Sequence, residues 1–433
     1  MNPVIPPLAG AYAGDDALLT LNSGSSSLKF ALFDALDESG LPHADGLQLL
    51  LSGQIDGLGG AVRFQARSAD GTLDAHEQWP AASAPADAGA ALRWLIDWLR
   101  RQVPGRAVVA VGHRVVHGGL HHAEPVLLTD AVVARLQALV PLAPLHQPHN
   151  LAGVAAARQA FGAVPQVACF DTAFHRHHPF VNDCFALPRR FFDAGVRRYG
   201  FHGLSYEYIA QRLAEQHAQQ HAGRVVVAHL GNGASMCALQ GGRSVASTMG
   251  FSALDGLPMG TRCGQIDPGV LLYLMQHEGL DADQVADLLY KQSGLKGLSG
   301  GLSHDMRTLE AAGTPEAAQA IDYFVFRIRR ELGGLAAVLQ GLDAVVFTGG
   351  IGENSALIRE RVLEGMGWLG IRLDAARNRA GATVISSDDS PVLCLRLPTN
   401  EEGMIAQQTL RTAALGRRPA AAAPTAPAAR ESR

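Results

Sequence analysis

Lysine is almost missing from this chain: of its 36 basic residues only Lys29, Lys291 and Lys296 are lysine, and the rest are arginine. A lysine inside a compact polar motif is therefore a specific feature here and not background. Cysteine is as sparse, with five residues (Cys169, Cys184, Cys237, Cys263 and Cys394) and no C-x-x-C pair. That pattern excludes a disulfide framework and a zinc knuckle. No apolar run approaches the ~18 residues of a membrane span. The opening residues, MNPVIPPLAGAYAGDD, lack the basic stretch and unbroken apolar run of a secretory signal. A reduced, cytoplasmic protein is expected. Excess charge is missing too, with 36 basic against 40 acidic residues and a net charge of −4, which argues against a nucleic-acid partner. What is abundant is apolar surface: 47% of 433 residues are hydrophobic, enough for the cores of two or three domains.

Strand-like and helix-like segments alternate, which predicts an α/β architecture. The strand candidates are Leu18–Leu21, Val108–Gly112, Val167–Phe170, Val225–Leu230 and Ala344–Thr348. Apolar residues at three- and four-residue spacing predict helices over Ala90–Arg101, Ala131–Val140, Leu204–His217 and Asp322–Leu339. Residues 1–16 and the Ala/Pro-rich end, RRPAAAAPTAPAARESR, read as appended tails. Within the body, LLTLNSGSSSLKFALFD and VVVAHLGNGASMCALQGG share one plan, a strand, a polar Gly turn and a second strand. They lie roughly 210 residues apart, as a duplicated domain with facing turns would place them. Two ordinary hairpins of one sheet fit the turn chemistry equally well.

The first of these turns, Asn22 to Lys29, gathers backbone N–H groups, serine hydroxyls and a rare ammonium in eight residues, a good cradle for anionic oxygens. It is not a P-loop, because the G-x-x-x-x-G-K-[ST] spacing is absent and a strand follows. A third Gly-rich turn, Thr348 to Asn354, joins a strand to a helix and offers bare backbone to a nucleotide, without matching G-x-G-x-x-G. Arg114 and Arg262, one in each half, sit among small residues where a guanidinium can reach into a cleft toward a carboxylate or phosphate. Asp171 follows a strand, where α/β proteins bind ligands. His146 and His202 lie in turn-prone contexts, and Glu401 and Glu402 open a helix that Thr399 or Asn400 caps. His175, His177 and His178, like His121 and His122, lack carboxylate or thiolate partners at ligand spacing, and are expected on the solvated surface.

Taken together these segments resemble the acetokinase family, of the acetate and sugar kinase/heat-shock 70/actin superfamily. The resemblance runs from about residue 18 to 412 and rests on NSGSSSLKF, GHRVVHGG, APLHQPHN, FDTAFH, RRYGFHGLS, AHLGNGAS, MGFSALDGLPMGTRCG, FTGGIGENS and PTNEEGMIA, in family order. It implies two duplicated ribonuclease-H-like (actin-like ATPase) domains with an interdomain active-site cleft. The domains would span 18–173 plus 403–416 and 174–402, leaving an extension, 1–17, and a disordered tail, 417–433. It further implies Mg²⁺-dependent transfer of a phosphoryl group from ATP to acetate, with Mn²⁺ as a substitute, in a homodimer.

The resemblance also assigns roles. Asn22 and Glu401 match the magnesium positions. Ser25, Ser27 and Lys29 match a first phosphate loop, and His229, Leu230, Gly231, Asn232 and Gly233 a second. Arg114 matches the substrate-binding arginine, Asp171 the catalytic aspartate, Arg262 the second active-site arginine, and His146 and His202 the phosphoryl-contacting histidines. Asp305, Met306 and Arg307, with Gly350, Ile351, Gly352, Glu353 and Asn354, match the adenosine pocket. Val116, Leu145 and Phe201 match the acyl pocket, and Ala253 stands where relatives usually carry proline. Met306 replaces an aromatic residue of some relatives. Propionate or another short-chain carboxylate is the competing substrate, and a non-catalytic actin-like ATP binder, which needs no small-molecule pocket, is the competing class.

Overall fold

The computed structural model describes residues 16–24, 27–34, 46–80, 83–103 and 105–413. Eight strands form a first sheet: β1 (Asp16–Ser23), β2 (Ser27–Asp34), β3 (Gln48–Asp56), β4 (Val62–Ser68), β5 (Asp74–Trp79), β6 (Ala107–Val115), β7 (Val126–Leu127) and β8 (Gln166–Phe170). A second sheet holds β9 (Arg224–Leu230), β10 (Ala234–Gln240), β11 (Arg243–Ser247), β12 (Ala344–Thr348) and β13 (Leu393–Arg396). All five expected strands and all four expected helices are present.

The order of the first sheet is β5-β4-β3-β2-β1-β6-β8-β7, and that of the second β11-β10-β9-β12-β13. Within the first, β3, β2 and β1 run antiparallel to their neighbours, and β1, β6 and β8 run parallel. The strands β11, β10, β9, β12 and β13 repeat that sequence of pairings step for step. The duplication expected from two similar turns is thus a duplicated five-stranded sheet, the mixed α/β arrangement of the actin-like ATPase fold. β4 and β5 extend the first copy. β4 alternates, with Val62, Phe64 and Ala66 buried and Arg63, Gln65 and Arg67 exposed, as a strand with one wet face must. β8 and β12 are buried at every residue, which explains their unbroken apolar runs.

One helix joins the copies. Glu401–Thr412 packs on β1, β6 and β8 of the first sheet and on the helix Gly203–Gln216 beside the second. Its Met404 and Ile405 share a buried cluster with Val167, Cys169 and Leu204. The boundaries differ slightly from expectation. β1 begins at Asp16, inside the expected extension, and this last helix begins at Glu401, two residues before the expected return to the first domain. Residues 414–416 and the expected tail lie outside the described residues.

The long helix Pro315–Leu339 starts seven residues before the predicted Asp322. Thr314 caps it by accepting from the Ala317 N–H, and Pro315 opens it, a signal the apolar periodicity alone does not carry. The histidine clusters also differ from expectation. His177 and His121 are exposed, but His175 and His122 are buried. His175 is held on both ring nitrogens, by Ser244 Oγ at 2.8 Å and the Phe201 carbonyl at 2.9 Å. Local polarity signalled surface, whereas a buried imidazole with both nitrogens bonded is stable inside.

Candidate active site

The first hairpin turns tightly, with the Gly24 N–H donating to the Ser27 carbonyl at 2.8 Å. Asn22 and Lys29 are direct partners across β1 and β2 and so share one face of the sheet. Ser23 is buried against the helix Gln147–Phe161, where a Cβ on Gly153 would lie 2.3 Å from its Oγ. Asn150, on that helix, donates to the Ser23 carbonyl at 2.6 Å and accepts from the Val116 N–H at 2.9 Å. It thereby ties the hairpin to the end of β6, where Arg114 stands; sequence reading missed it. Ser25 lies outside the described residues.

Arg114 meets Asp171 as a fork. Its Nε donates at 2.9 Å and its Nη2 at 2.6 Å to the carboxylate, while Nη1 reaches Asn22 Oδ1 at 3.3 Å. Burial pushes the Asp171 carboxyl up against the pull of Arg114. Burial likewise works against the Arg114 charge, but Asp171 and Glu401 outweigh it, so Arg114 holds its proton more tightly than usual. The pair is close to charge-neutral.

Arg262 is different. It arrives on the irregular segment between β11 and the helix Pro268–Gln276, and its Nη1 donates to the Ala253 carbonyl at 2.7 Å. Among the described residues it has no acidic partner. Burial pushes it down to about 10, Tyr290 opposes that shift, and the charge of Arg114 adds to it. The two guanidinium groups thus lie close enough for their charges to oppose each other, and both act on His146 and His202. A Cβ on Gly233 would lie 3.2 Å from both Arg262 Nη2 and His202 Nε2, so bare backbone at this turn lets them approach.

His202 precedes the helix Gly203–Gln216 in a left-handed conformation, φ 58°, shared among non-glycine residues only with Gln340 in the described chain. Its Nδ1 bonds Ser235 Oγ at 2.8 Å, and Ser235 Oγ bonds the buried Tyr206 hydroxyl at 2.6 Å. Burial pushes the Tyr206 phenol well up, so it keeps its proton. The arrangement that satisfies every group runs from the Tyr206 hydroxyl to Ser235 and on to His202 Nδ1, leaving Nε2–H as the donor on the Gly233 side. His229 stacks on His202 with ring centres 4.3 Å apart. Its Nδ1 bonds Ser205 Oγ, which bonds Thr399 Oγ1, each at 2.8 Å. These four supports carry no motif spacing, and only three-dimensional proximity exposes them.

His146 stands at the start of the helix Gln147–Phe161, pushed down to about 3 by burial and by the charges of Arg262 and Arg114. Burial and neighbouring charge also hold His202 well below its usual range. All are neutral imidazoles. His146 lies on the rim of a small cavity lined by Val116, Leu145, Phe201 and Ala253. Tyr290, Leu142 and Pro144 join this lining unforeseen.

The second turn follows β9, with the Gly231 N–H donating to the Gly233 carbonyl at 3.0 Å. A Cβ on Gly231 would lie 3.8 Å from the Gly350 N, so this turn adjoins the strand-to-helix turn after β12. A Cβ on Gly350 would meet nothing. Asn232 occupies the space that a side chain at Gly260 would need, its Oδ1 2.2 Å from the position of such a Cβ. Glu353, expected to face a nucleotide, is engaged internally. Its Oε1 accepts from the Gly349 N–H at 2.9 Å and the Thr399 N–H at 3.1 Å. It thus fastens the turn after β12 to the start of the Glu401 helix. Ile351 packs against the core of the second copy, and Gly352 is buried. Asn354 Nδ2 donates to the Gly350 carbonyl at 2.9 Å.

Asp305 caps the helix Met306–Ala312 and pairs with exposed Arg307 at 2.8 Å. Met306 turns into the core, 4% exposed, instead of offering a packing face. Glu401 opens the joining helix, with Asn400 as its cap. The charges of Arg114, His229 and Lys29 outweigh burial and hold Glu401 below the usual carboxyl range. Burial and Glu401 push Glu402 up.

The acetokinase family model matches residues 17–407. An acetate kinase of Methylocella silvestris is 60% identical over 404 residues, covering 91% of this chain and 97% of the relative. One of Nitrobacter hamburgensis is 53% identical, covering 91% and 96%. Among solved structures, Porphyromonas gingivalis acetate kinase aligns with a TM-score of 0.80 at 36% identity, covering 92% of this chain and all of that one. A Francisella tularensis propionate kinase aligns with a TM-score of 0.82 at 35% identity, covering 92% and 99%. With the family model matching residues 17–407 and relatives up to 60% identical over about nine-tenths of its length, the chain belongs to the acetokinase family.

Proposed function

We propose that this protein is an acetate kinase, transferring the γ-phosphoryl group of ATP reversibly to acetate to give acetyl phosphate and ADP. The observation that carries this reading is Arg262, a recessed cation with no acidic partner among the described residues, beside a small apolar-walled cavity and near enough to Arg114, itself paired with Asp171, to feel its charge. A cation left uncompensated in a crevice calls for an anion, and the apolar walls beside it suit a short alkyl chain. Acetate is already ionised at pH 7, so no base is needed. The obstacle is the approach of one anion to another, and catalysis is positioning plus charge neutralisation.

In a direct in-line transfer, an acetate oxygen forms its bond to the γ-phosphorus as the bond to the ADP oxygen breaks. Arg262 holds the incoming carboxylate and the equatorial oxygens. Arg114, aimed by Asp171, supplies the other wall of the site. His202, His146 and Asn232 add neutral donors to the phosphoryl oxygens. Lys29, Ser27 and the turn His229 to Gly233 embrace the phosphates, and the turn from Gly350 to Asn354, with Asp305 and Arg307, borders the adenosine.

Among the described residues no three His, Cys, Asp or Glu side chains converge as an all-protein metal cage. That suits magnesium, which takes one or two protein oxygens and leaves the rest of its shell to phosphates and water. Asn22 and Glu401 offer hard oxygen donors on facing elements and would hold it, with Mn²⁺ as a substitute. When bound it neutralises phosphate charge.

We also propose a cytoplasmic homodimer. Its support is the helix Pro268–Gln276, which buries no residue and exposes Val270, Leu272, Tyr273 and Met275. The decisive test of function is a hydroxylamine trap for acyl phosphate with ATP and magnesium. Acetate should give acyl hydroxamate, and no product with any short carboxylate would overturn the reading. Ala253 favours propionate as a second substrate, since losing the proline ring carbons opens about a methylene's space, worth roughly 1 kcal/mol of discrimination. Ala253→Pro should lower the propionate-to-acetate ratio of kcat/KM, and an unchanged ratio would count against it.

A further inference from the structure

We propose that the side chain of Tyr290 is the wall that sets how long an acyl chain the pocket accepts, a reading that rests on the acyl-kinase function proposed above. Tyr290 lies more than a hundred residues from Val116, Leu145 and their motifs in the chain, yet lines the same cavity as Val116, Leu145, Phe201 and Ala253. It belongs to Leu288–Gln292, the single π-helical turn among the described residues. Such turns are costly relative to an α-helix and recur at functional sites, because the extra residue re-aims a side chain.

The turn cannot move apart from the anion-holding loop. The Thr261 hydroxyl donates to the Tyr290 carbonyl at 2.8 Å, the Cys263 N–H to the Leu289 carbonyl at 3.1 Å, and the Ser293 N–H to the Thr261 carbonyl at 3.0 Å. These bonds flank Arg262 on both sides. The phenol also lies close enough to Arg262 to act on its charge. Arg262 Nη1 is held in turn by the carbonyl of Ala253, another wall of the cavity. Carboxylate holder and alkyl wall are therefore one rigid unit. A substrate whose carboxylate is seated at Arg262 has its chain end measured against a ring fixed to the same loop.

The test compares kcat/KM for acetate, propionate and butyrate in the wild type and in Tyr290→Ala, Tyr290→Leu, Tyr290→Phe and Tyr290→Trp, with thermal unfolding as the check on folding. Shortening the side chain in Tyr290→Ala or Tyr290→Leu should raise the propionate-to-acetate and butyrate-to-acetate ratios about tenfold or more, the discrimination one methylene gives in an apolar pocket. Tyr290→Trp should lower both ratios, and Tyr290→Phe should leave them within about twofold, separating the ring from its hydroxyl. Ratios that stay at the wild-type value in the folded variants, shortened and enlarged alike, would overturn the proposal. A wild type that forms no acyl phosphate at all would overturn the functional reading instead, so the two failures are distinct.

Discussion

At the residue scale, the site depends on which groups are already paired. Arg114 is bound by Asp171 and Asn22, whereas Arg262 has only a carbonyl among the described residues. Arg262→Ala should therefore lower kcat by orders of magnitude while ATP binding, followed by calorimetry, survives. The hydroxyl relay behind His202 makes a finer prediction. Tyr206→Phe removes the donor to Ser235 and frees the imidazole tautomer, and should reduce kcat about fivefold to tenfold, the loss of one hydrogen bond of ~1 kcal/mol, with little change in the KM for ATP. Steady-state kinetics with unchanged kcat would contradict the relay. Most of the side chains that the structure gathers around Arg262 were legible as motif residues, because Gly-rich turns and isolated charges leave marks in a sequence. Tyr206, Ser235, Asn150 and Tyr290 were not, since a hydroxyl's partner is set by the fold and not by its neighbours in the chain. His175 was misplaced for the same reason: polar flanks suggested solvent, while its partners, Ser244 and the Phe201 carbonyl, are distant in sequence or buried.

At the scale of elements, the turn Thr348 to Asn354 and the start of the helix Glu401–Thr412 are tied together through Glu353. Its carboxylate holds the N–H groups of both Gly349 and Thr399, so the proposed nucleotide turn and the proposed metal-holding residue shift together. Glu353→Gln keeps the shape but weakens the charge-assisted bonds, and should raise the KM for ATP about threefold to tenfold with a smaller change in kcat. Equal kinetic constants for variant and wild type would count against this coupling. The strands were the most legible elements, because those buried on both faces, such as β8 and β12, are short apolar runs bounded by polar turns. Helix ends were less so. Thr314 and Pro315 mark a start that periodicity missed, and the π-helical turn has no sequence signature at all.

At the scale of the whole molecule, duplication was visible in two similar hairpins, but the matching strand order needed the sheet pairings. The exposed helix Pro268–Gln276, the proposed dimer face, showed no interface stripe in the sequence. Leu272→Asp should convert a dimer to a monomer in light scattering, and a wild-type monomer would contradict the proposed assembly. Stability should also follow pH. Burial pushes His113 and His117 down to about 4 and His175 to about 3, so the fold holds them neutral. Below about pH 6.5 the unfolded chain binds protons that the folded chain refuses, and stability falls by up to about 1.4 kcal/mol per pH unit for each group until pH nears its folded value. The melting temperature should drop steeply between pH 6.5 and 4.5, and a flat profile would contradict the buried neutral histidines.

The account stands most directly on acyl hydroxamate formed from ATP, magnesium and acetate in hydroxylamine, run side by side with wild type and Arg262→Ala. Rapid product with the wild type, and a loss of orders of magnitude in the folded, ATP-binding variant, is the predicted result. Comparable rates for the two proteins would contradict the claim that one unpaired guanidinium brings the two anions together.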